Sequence, residues 1–218
     1  LVDQRGFPRP QGAGCDIGAY ENQPLLLTCP PGVIVEFMGQ TGAVVTFTVT
    51  VTDPCPGVTL TVTPPSGSLF PIGVTPVLAQ ATDACGNSAQ CSFNVTVLGA
   101  RGVKSNVLAE LKILRAGVTN AFDRCKLDGV IVNVAASLGW CHPCKPLWWD
   151  ETHLNRWHGA CVFLHEMAAV CQLQGIIRDE RSQIPEATAQ NFIDRLVKCD
   201  RLLAVVSIQD AADAGVNP

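Results

Sequence analysis

The stretch Val45-Thr46-Phe47-Thr48-Val49-Thr50-Val51-Thr52 alternates apolar and hydroxyl side chains without a break. Successive side chains of a strand point to opposite faces, so this period of two predicts a β-strand with one buried and one wet face. The pattern recurs in Val58, Leu60 and Val62 against Thr59, Thr61 and Thr63, and in Cys91, Phe93, Val95 and Val97 against Ser92, Asn94 and Thr96. Turn-forming residues separate the runs at Asp53-Pro54, Pro64-Pro65-Ser66-Gly67 and Cys85-Gly86-Asn87. Short alternating strands with regular turns predict a small antiparallel β-sandwich over residues 25–99.

Beyond that segment the period changes to 3.6. Leu108, Leu111, Leu114 and Val118 trace a helical stripe, with Ser105 placed to cap its first turn. A second helix is expected after Thr119-Asn120, running to a stop at Gly139. An irregular aromatic connection, Trp140 to Leu154, precedes a third helix through Val162, Phe163, Met167, Val170 and Leu173 to Gly175. Pro185 is a favourable opening residue for a fourth, whose inward stripe is Phe192, Ile193, Leu196, Cys199, Leu203 and Val206. Helices with short connections predict an α-helical bundle over residues 100–218. The fold class is thus multi-domain β + α, an antiparallel β-sandwich followed by an α-helical bundle.

Residues 1–24 are rich in Gly, Pro and Gln and cannot form a core alone, so they are expected to be an extended arm. Fully extended, such an arm reaches on the order of 70 Å, enough to lie on a neighbour. Charged residues make up only 16% of the chain against 47% hydrophobic, and the formal charge is -4. No Lys/Arg run provides the basic footprint that phosphates need, which argues against nucleic acid as a partner. No apolar stretch reaches the roughly 20 residues of a membrane span, so no transmembrane segment is expected. The start, Leu-Val-Asp-Gln-Arg-Gly, has neither Met nor the features of a signal peptide, and the chain is expected to be a processed piece of a longer protein. Eleven cysteines spread through the chain point to an oxidising, extracellular compartment in which disulfides persist. Because the count is odd, at least one thiol is free or joined to another chain.

Three resemblances sharpen this reading. Asp3-Gln4-Arg5-Gly6-Phe7-Pro8-Arg9-Pro10, followed by Gly14-Cys15-Asp16-Ile17-Gly18-Ala19-Tyr20-Glu21, resembles the end of the right-handed parallel β-helix of large bacterial surface proteins. The β segment resembles the hyalin repeat, an immunoglobulin-like extracellular module. The residues that carry this likeness are Cys29-Pro30, Ala43 to Phe47, Pro64 to Ser68, Phe70-Pro71-Ile72-Gly73, Ala81 to Ala89 and Cys91-Ser92-Phe93. Two further cysteines common in that family are replaced here by Thr41 and Ala79, leaving Cys29, Cys55, Cys85 and Cys91. The resemblance favours pairing Cys29 with Cys91 and Cys55 with Cys85, although four cysteines allow three connectivities. The helical half is similar to a C-terminal domain of secreted bacterial proteins, with Leu147-Trp148-Trp149-Asp150, His153-Leu154 and His158-Gly159 at its centre. Its cysteines, Cys125, Cys141, Cys144, Cys161, Cys171 and Cys199, are an even set expected to form disulfides. Subtraction leaves Cys15 as the unpaired or intermolecular thiol.

Cys141-His142-Pro143-Cys144 with Cys161 and His165 could surround zinc tetrahedrally. The oxidising compartment favours disulfides instead, so no metal or other cofactor is expected, and a zinc or redox module is the third reading. Glu166, Asp150-Glu151 and Asp179-Glu180 offer carboxylates, but no spacing brings two together, and surface placement is expected. His142, His153, His158 and His165 cluster near the tryptophans without a nucleophile motif, so no catalytic residue is assigned and the chain is read as a non-enzyme. The function expected is that of an extracellular structural module at the cell surface. It would self-associate into a filament, or join other surface proteins, by strand addition from the arm. The alternative is a monomeric adhesive or spacer domain that binds a protein or glycan. Candidate contact residues are Phe7, Ile17 and Tyr20 in the arm, and Trp148 and Trp149 in the aromatic connection.

Overall fold

A computed structural model of the chain describes residues 25–53, 57–141, 145–155 and 159–214. They divide into two compact units. The first holds the described residues up to Val35 and those of Val44–Thr96; the second holds Glu36–Ala43 and the described residues from Val97 onward.

β structure comes first, as the period of two predicts. Eight strands run in order: β1 (Leu26–Thr28), β2 (Val33–Glu36), β3 (Ala43–Val45), β4 (Thr50–Thr52), β5 (Thr59–Thr63), β6 (Ser68–Phe70), β7 (Gly73–Thr82) and β8 (Ser88–Leu98). A four-stranded sheet has the order β2-β8-β7-β5, while β1 pairs with β4 and β3 with β6. In the long strands the alternation translates directly into burial. Val77, Ala79 and Ala81 of β7 and Phe93, Val95 and Val97 of β8 are buried, and the residues between them lie outside the core. Phe47 meets Phe70 and Phe93 edge to face, with ring centroids 6.3 and 4.9 Å apart, the arrangement preferred by the aromatic quadrupole.

The opening stretch departs from its expected form. Residues 45–52 are not one strand, because β3 and β4 pair in different sheets. Between them the Ser66 hydroxyl accepts a hydrogen bond from Phe47 N at 2.9 Å and donates one to Phe47 O at 2.8 Å. A side chain 19 residues away thus supplies what a ladder would, and the strand can change partner without orphaning its backbone. At β5 the expected buried face is only partly formed: Val58, just before the strand, and Leu60 are 38% and 39% exposed, while Val62 is half-buried. This strand lies at the rim of its sheet, paired with β7 in antiparallel register, Thr59 opposite Thr82.

The turn joining β7 to β8 is organised by Asp83. Its Oδ1 accepts from Cys85 N at 2.9 Å and Asn87 N at 2.8 Å, and its Oδ2 from Asn87 Nδ2 at 2.6 Å. Gly86, at φ 88°, takes the left-handed conformation that the turn requires. Desolvation raises the Asp83 pKa, but the hydrogen bonds from Asn87 and Cys85 outweigh it and hold the carboxyl below 3.8. A carboxylate whose pKa is depressed in the folded state stabilises that state above its unfolded value and stops doing so as pH falls through the folded one. Asp83→Asn is therefore expected to lower the melting temperature at neutral pH, and this difference should close as pH is taken below 3.8. Thermal melts of both proteins across that range check it.

Four helices follow: α1 (Ala100–Gly117), α2 (Ala121–Leu138), α3 (Ala160–Ile177) and α4 (Glu186–Asp213), with a short β9 (Trp140–Cys141) and β10 (Lys145–Pro146) between α2 and α3. Both α1 and α3 pack against α2 and α4. Asn120 caps α2 by accepting from Phe122 N at 2.9 Å, and Gly139 ends it, as expected. Two helix ends differ from expectation. α1 begins five residues before Ser105, whose hydroxyl instead bonds back to Arg101 O at 3.0 Å. Its first turn is satisfied by Glu151, whose carbonyl accepts from Arg101 N and whose carboxylate accepts from Gly102 N at 2.9 Å. A Cβ at Gly102 would stand 2.9 Å from that carboxylate oxygen, so the close approach depends on glycine. α3 continues past Gly175 to Ile177. With a mean hydropathy of 1.4, α3 is long and apolar enough to cross a membrane by length and composition, yet here it packs between two helices and buries Glu166.

Candidate interaction cleft and buried charge cluster

Within the second unit the aromatic connection folds back on itself. Trp148 bridges to Leu154, and Trp149 N donates to His153 O at 2.9 Å. Asp150 closes the bend, its Oδ1 accepting from Thr152 N at 2.7 Å and His153 N at 2.8 Å. Partial burial raises the Asp150 pKa, but these bonds and the His153 ring, 2.8 Å away, bring it below 3.8. The two tryptophans differ sharply in exposure. Trp148 is buried, its Nε1 donating to Ser137 O at 2.7 Å, whereas Trp149 is 72% exposed. Trp148 is thereby removed from the contact residues expected of this stretch: its ring serves the core, and Trp149 alone of the pair can meet a partner.

Trp149, Asp150, His153 and Leu154 line a cleft of about 840 Å³ together with Phe163 of α3 and Asp210 of α4. His153 Nδ1 faces Asp150, and its Nε2 lies 3.8 Å from Asp210 Oδ1. Gly159, which also lines the cleft, permits Leu154 to approach, since a Cβ there would stand 2.6 Å from Leu154 Cβ. The cleft combines an exposed indole, apolar walls and acidic groups, a composition suited to holding a ligand.

Beneath Trp148 lies a second feature, which the sequence reading placed on the surface. Glu166 of α3 is completely buried and forms an ion pair with Lys104 of α1, which is equally buried. The Lys104 Nζ is 3.6 Å from Asp200 Oδ1 of α4 and 4.9 Å from the centroid of the Trp148 ring. Burial lowers the Lys104 pKa to about 8, and it raises that of Asp200 to about 6. Beyond Lys104, Glu166 Oε1 and Oε2 and Asp200 Oδ1 find no hydrogen-bond donor among the described residues. The sequence did carry a signal: Lys104 falls one turn before Val107 and Leu108 on the apolar stripe, where a charge requires a partner.

In the first unit, Cys29 and Cys91 form a disulfide with Cα atoms 6.0 Å apart, tying the residue after β1 to β8. Cys85, in the Asp83 turn, is disulfide-bonded as well. Residues 22–97 match the family model of the HYR domain. The match covers the segment whose residues resemble the hyalin repeat, and it ends before the helices. HYR domains are extracellular modules, and the Cys29–Cys91 disulfide within this one fits that setting. No curated protein and no solved structure matches the chain.

The remaining residues singled out in the sequence fall as follows. Cys15, Phe7, Ile17 and Tyr20 of the arm precede the HYR segment and lie outside the described residues, as do Cys55 and Cys144 and the side chain of Cys141. Cys161 is half-buried near the start of α3. The disulfides expected at Cys125, Cys171 and Cys199 are not formed. Cys125 and Cys171 face solvent on α2 and α3, and Cys199 points into the core, where burial pushes its thiol up to about 12. Helical stripes place these side chains by their own register, which an even count of cysteines does not control. Among the described residues no three of His, Cys, Asp and Glu stand together so as to hold a metal ion.

Proposed function

We propose that the chain is a structural module of an extracellular surface assembly, in which the HYR segment forms an immunoglobulin-like sandwich and the helices a bundle. Assembly proceeds by strand addition: the arm of residues 1–24, a remnant of a β-helix end, pairs with an open sheet edge of the next subunit. The observation that supports this is β5, which among the described residues pairs with β7 alone, and whose Leu60 and threonines, with Val58 just before them, lie open to solvent. Such an edge offers unpaired backbone groups and alternating side chains, which supply affinity and register. Head-to-tail repetition of this contact gives a filament. Arm residues Phe7, Ile17 and Tyr20 supply the apolar contacts, and Cys15 is the thiol available for an intermolecular bond.

A second reading rests on the cleft at Trp149, which suits a monomeric adhesive domain that binds a protein or glycan. Deletion of residues 1–22 separates the two. Filament assembly predicts that the full chain gives fibres by electron microscopy and a large species on sedimentation, both lost on deletion. An unchanged monomer before and after deletion would sink the strand-addition reading in favour of the adhesive one.

A further inference from the structure

We propose that Lys104 and Asp200 become joined by an amide bond that forms within the folded second unit, with Glu166 as the acid–base catalyst. Three helices deliver the three groups to one point. The amine of Lys104 on α1 stands 3.6 Å from the carboxyl of Asp200 on α4, and Glu166 on α3 touches the same nitrogen. Lys104 and Glu166 are fully buried, with Trp148 covering the amine. Such a site is a poor resting place for ions. Removing a carboxylate and an ammonium from water costs several kcal/mol per ion, and the unmatched oxygens on Glu166 and Asp200 leave part of that cost uncompensated.

The same environment favours the chemistry. Burial lowers the Lys104 pKa to about 8 and raises that of Asp200 to about 6, so a neutral amine beside a neutral carboxylic acid is within reach. In the reaction the Nζ lone pair attacks Asp200 Cγ, the C–N bond forms, and the carbonyl electron pair moves onto oxygen. Glu166, as carboxylate, takes a proton from Nζ and passes it to the departing hydroxyl. The C–O bond breaks, water leaves, and the carbonyl re-forms. One N–H and one O–H group give one amide and one water, Glu166 returns to its starting state, and no oxidant or co-reactant is required. Asp200 is 26% exposed, which gives the water an exit. Fixing both reactants within contact distance supplies an effective concentration on the order of 10⁵ M or more where orientation is good. The product is a neutral group in place of two buried charges. Cys199, adjacent to Asp200, does not compete as a nucleophile, because its thiol stays protonated up to about 12.

Intact-mass spectrometry of the full chain, with all disulfides reduced, reads the result directly. The expected mass is one water below that of the sequence, and peptide mapping should recover a branched species joining the Lys104 and Asp200 peptides. Lys104→Arg and Glu166→Gln should restore the full mass. Asp200→Asn provides a distinct signature, since its cross-link expels ammonia and leaves the chain one ammonia lighter. Should Glu166→Gln fail to fold, the wild-type mass still decides. A full-mass wild-type chain, or a water loss mapped to other residues, overturns the proposal.

Discussion

Replacing Cys29 and Cys91 together by alanine is expected to destabilise the first unit by about 4 kcal/mol, the loop-closure entropy that a cross-link spanning 62 residues removes from the unfolded chain. A small domain has a net stability of only about 5–15 kcal/mol, so this change should leave a large unfolded fraction at 37 °C. The paired substitution avoids an orphan thiol that could exchange with Cys85, which is itself bonded. Denaturant titration monitored by a β-sensitive signal should show the midpoint falling for the first unit while the helical signal retains its own. A double variant that melts with the wild type would mean that the bridge contributes little beyond the packing of Phe47, Phe70 and Phe93.

Trp148→Ala is the corresponding test of the second unit. The indole is 5% exposed, donates to Ser137 O, and lies against the Lys104 amine. Truncating a buried tryptophan costs about 3–5 kcal/mol through lost transfer energy and the cavity left behind. Here the loss also strips cover from a buried charge cluster, so the upper part of that range is expected. Trp148→Phe retains most of the apolar surface and should cost about 1 kcal/mol, the net value of the missing hydrogen bond. Helicity followed during urea unfolding measures both. Equal effects from the two variants would show that the hydrogen bond, not packing, fixes this side chain.

The features legible in the sequence were those encoded locally. The alternation in β8 and the start of α2 after Asn120 each depend on neighbours within a few residues, and each is where its pattern places it. What escaped depends on residues distant in the chain. Ser66 intercepts the backbone of Phe47 and divides an apparently continuous strand, and Glu151 starts α1 from 49 residues away. Trp148 and Trp149 read alike in the sequence as contact residues, and only the fold separates them, burying Trp148 with its ring donating to Ser137 O. Lys104, Glu166 and Asp200 come from three different helices, so their convergence is a property of the packing. Cysteine parity was a weaker guide in the helices than in the HYR segment, where the Cys29–Cys91 pairing implied by family likeness is formed.

That bridge also alters how the HYR segment would carry tension. Its cysteines sit close to the two ends of the β unit, one just past β1 and the other in β8. A pull applied through the chain enters at one cysteine and leaves at the other across a covalent bond, so the stretch between them, a sequence separation of 62, bears no load. Extended, that shielded length would come to roughly 200 Å at about 3.3 Å per residue. An intact bridge therefore makes the segment a nearly inextensible link, and full release of that length would require reduction of the Cys85 bond as well as this one.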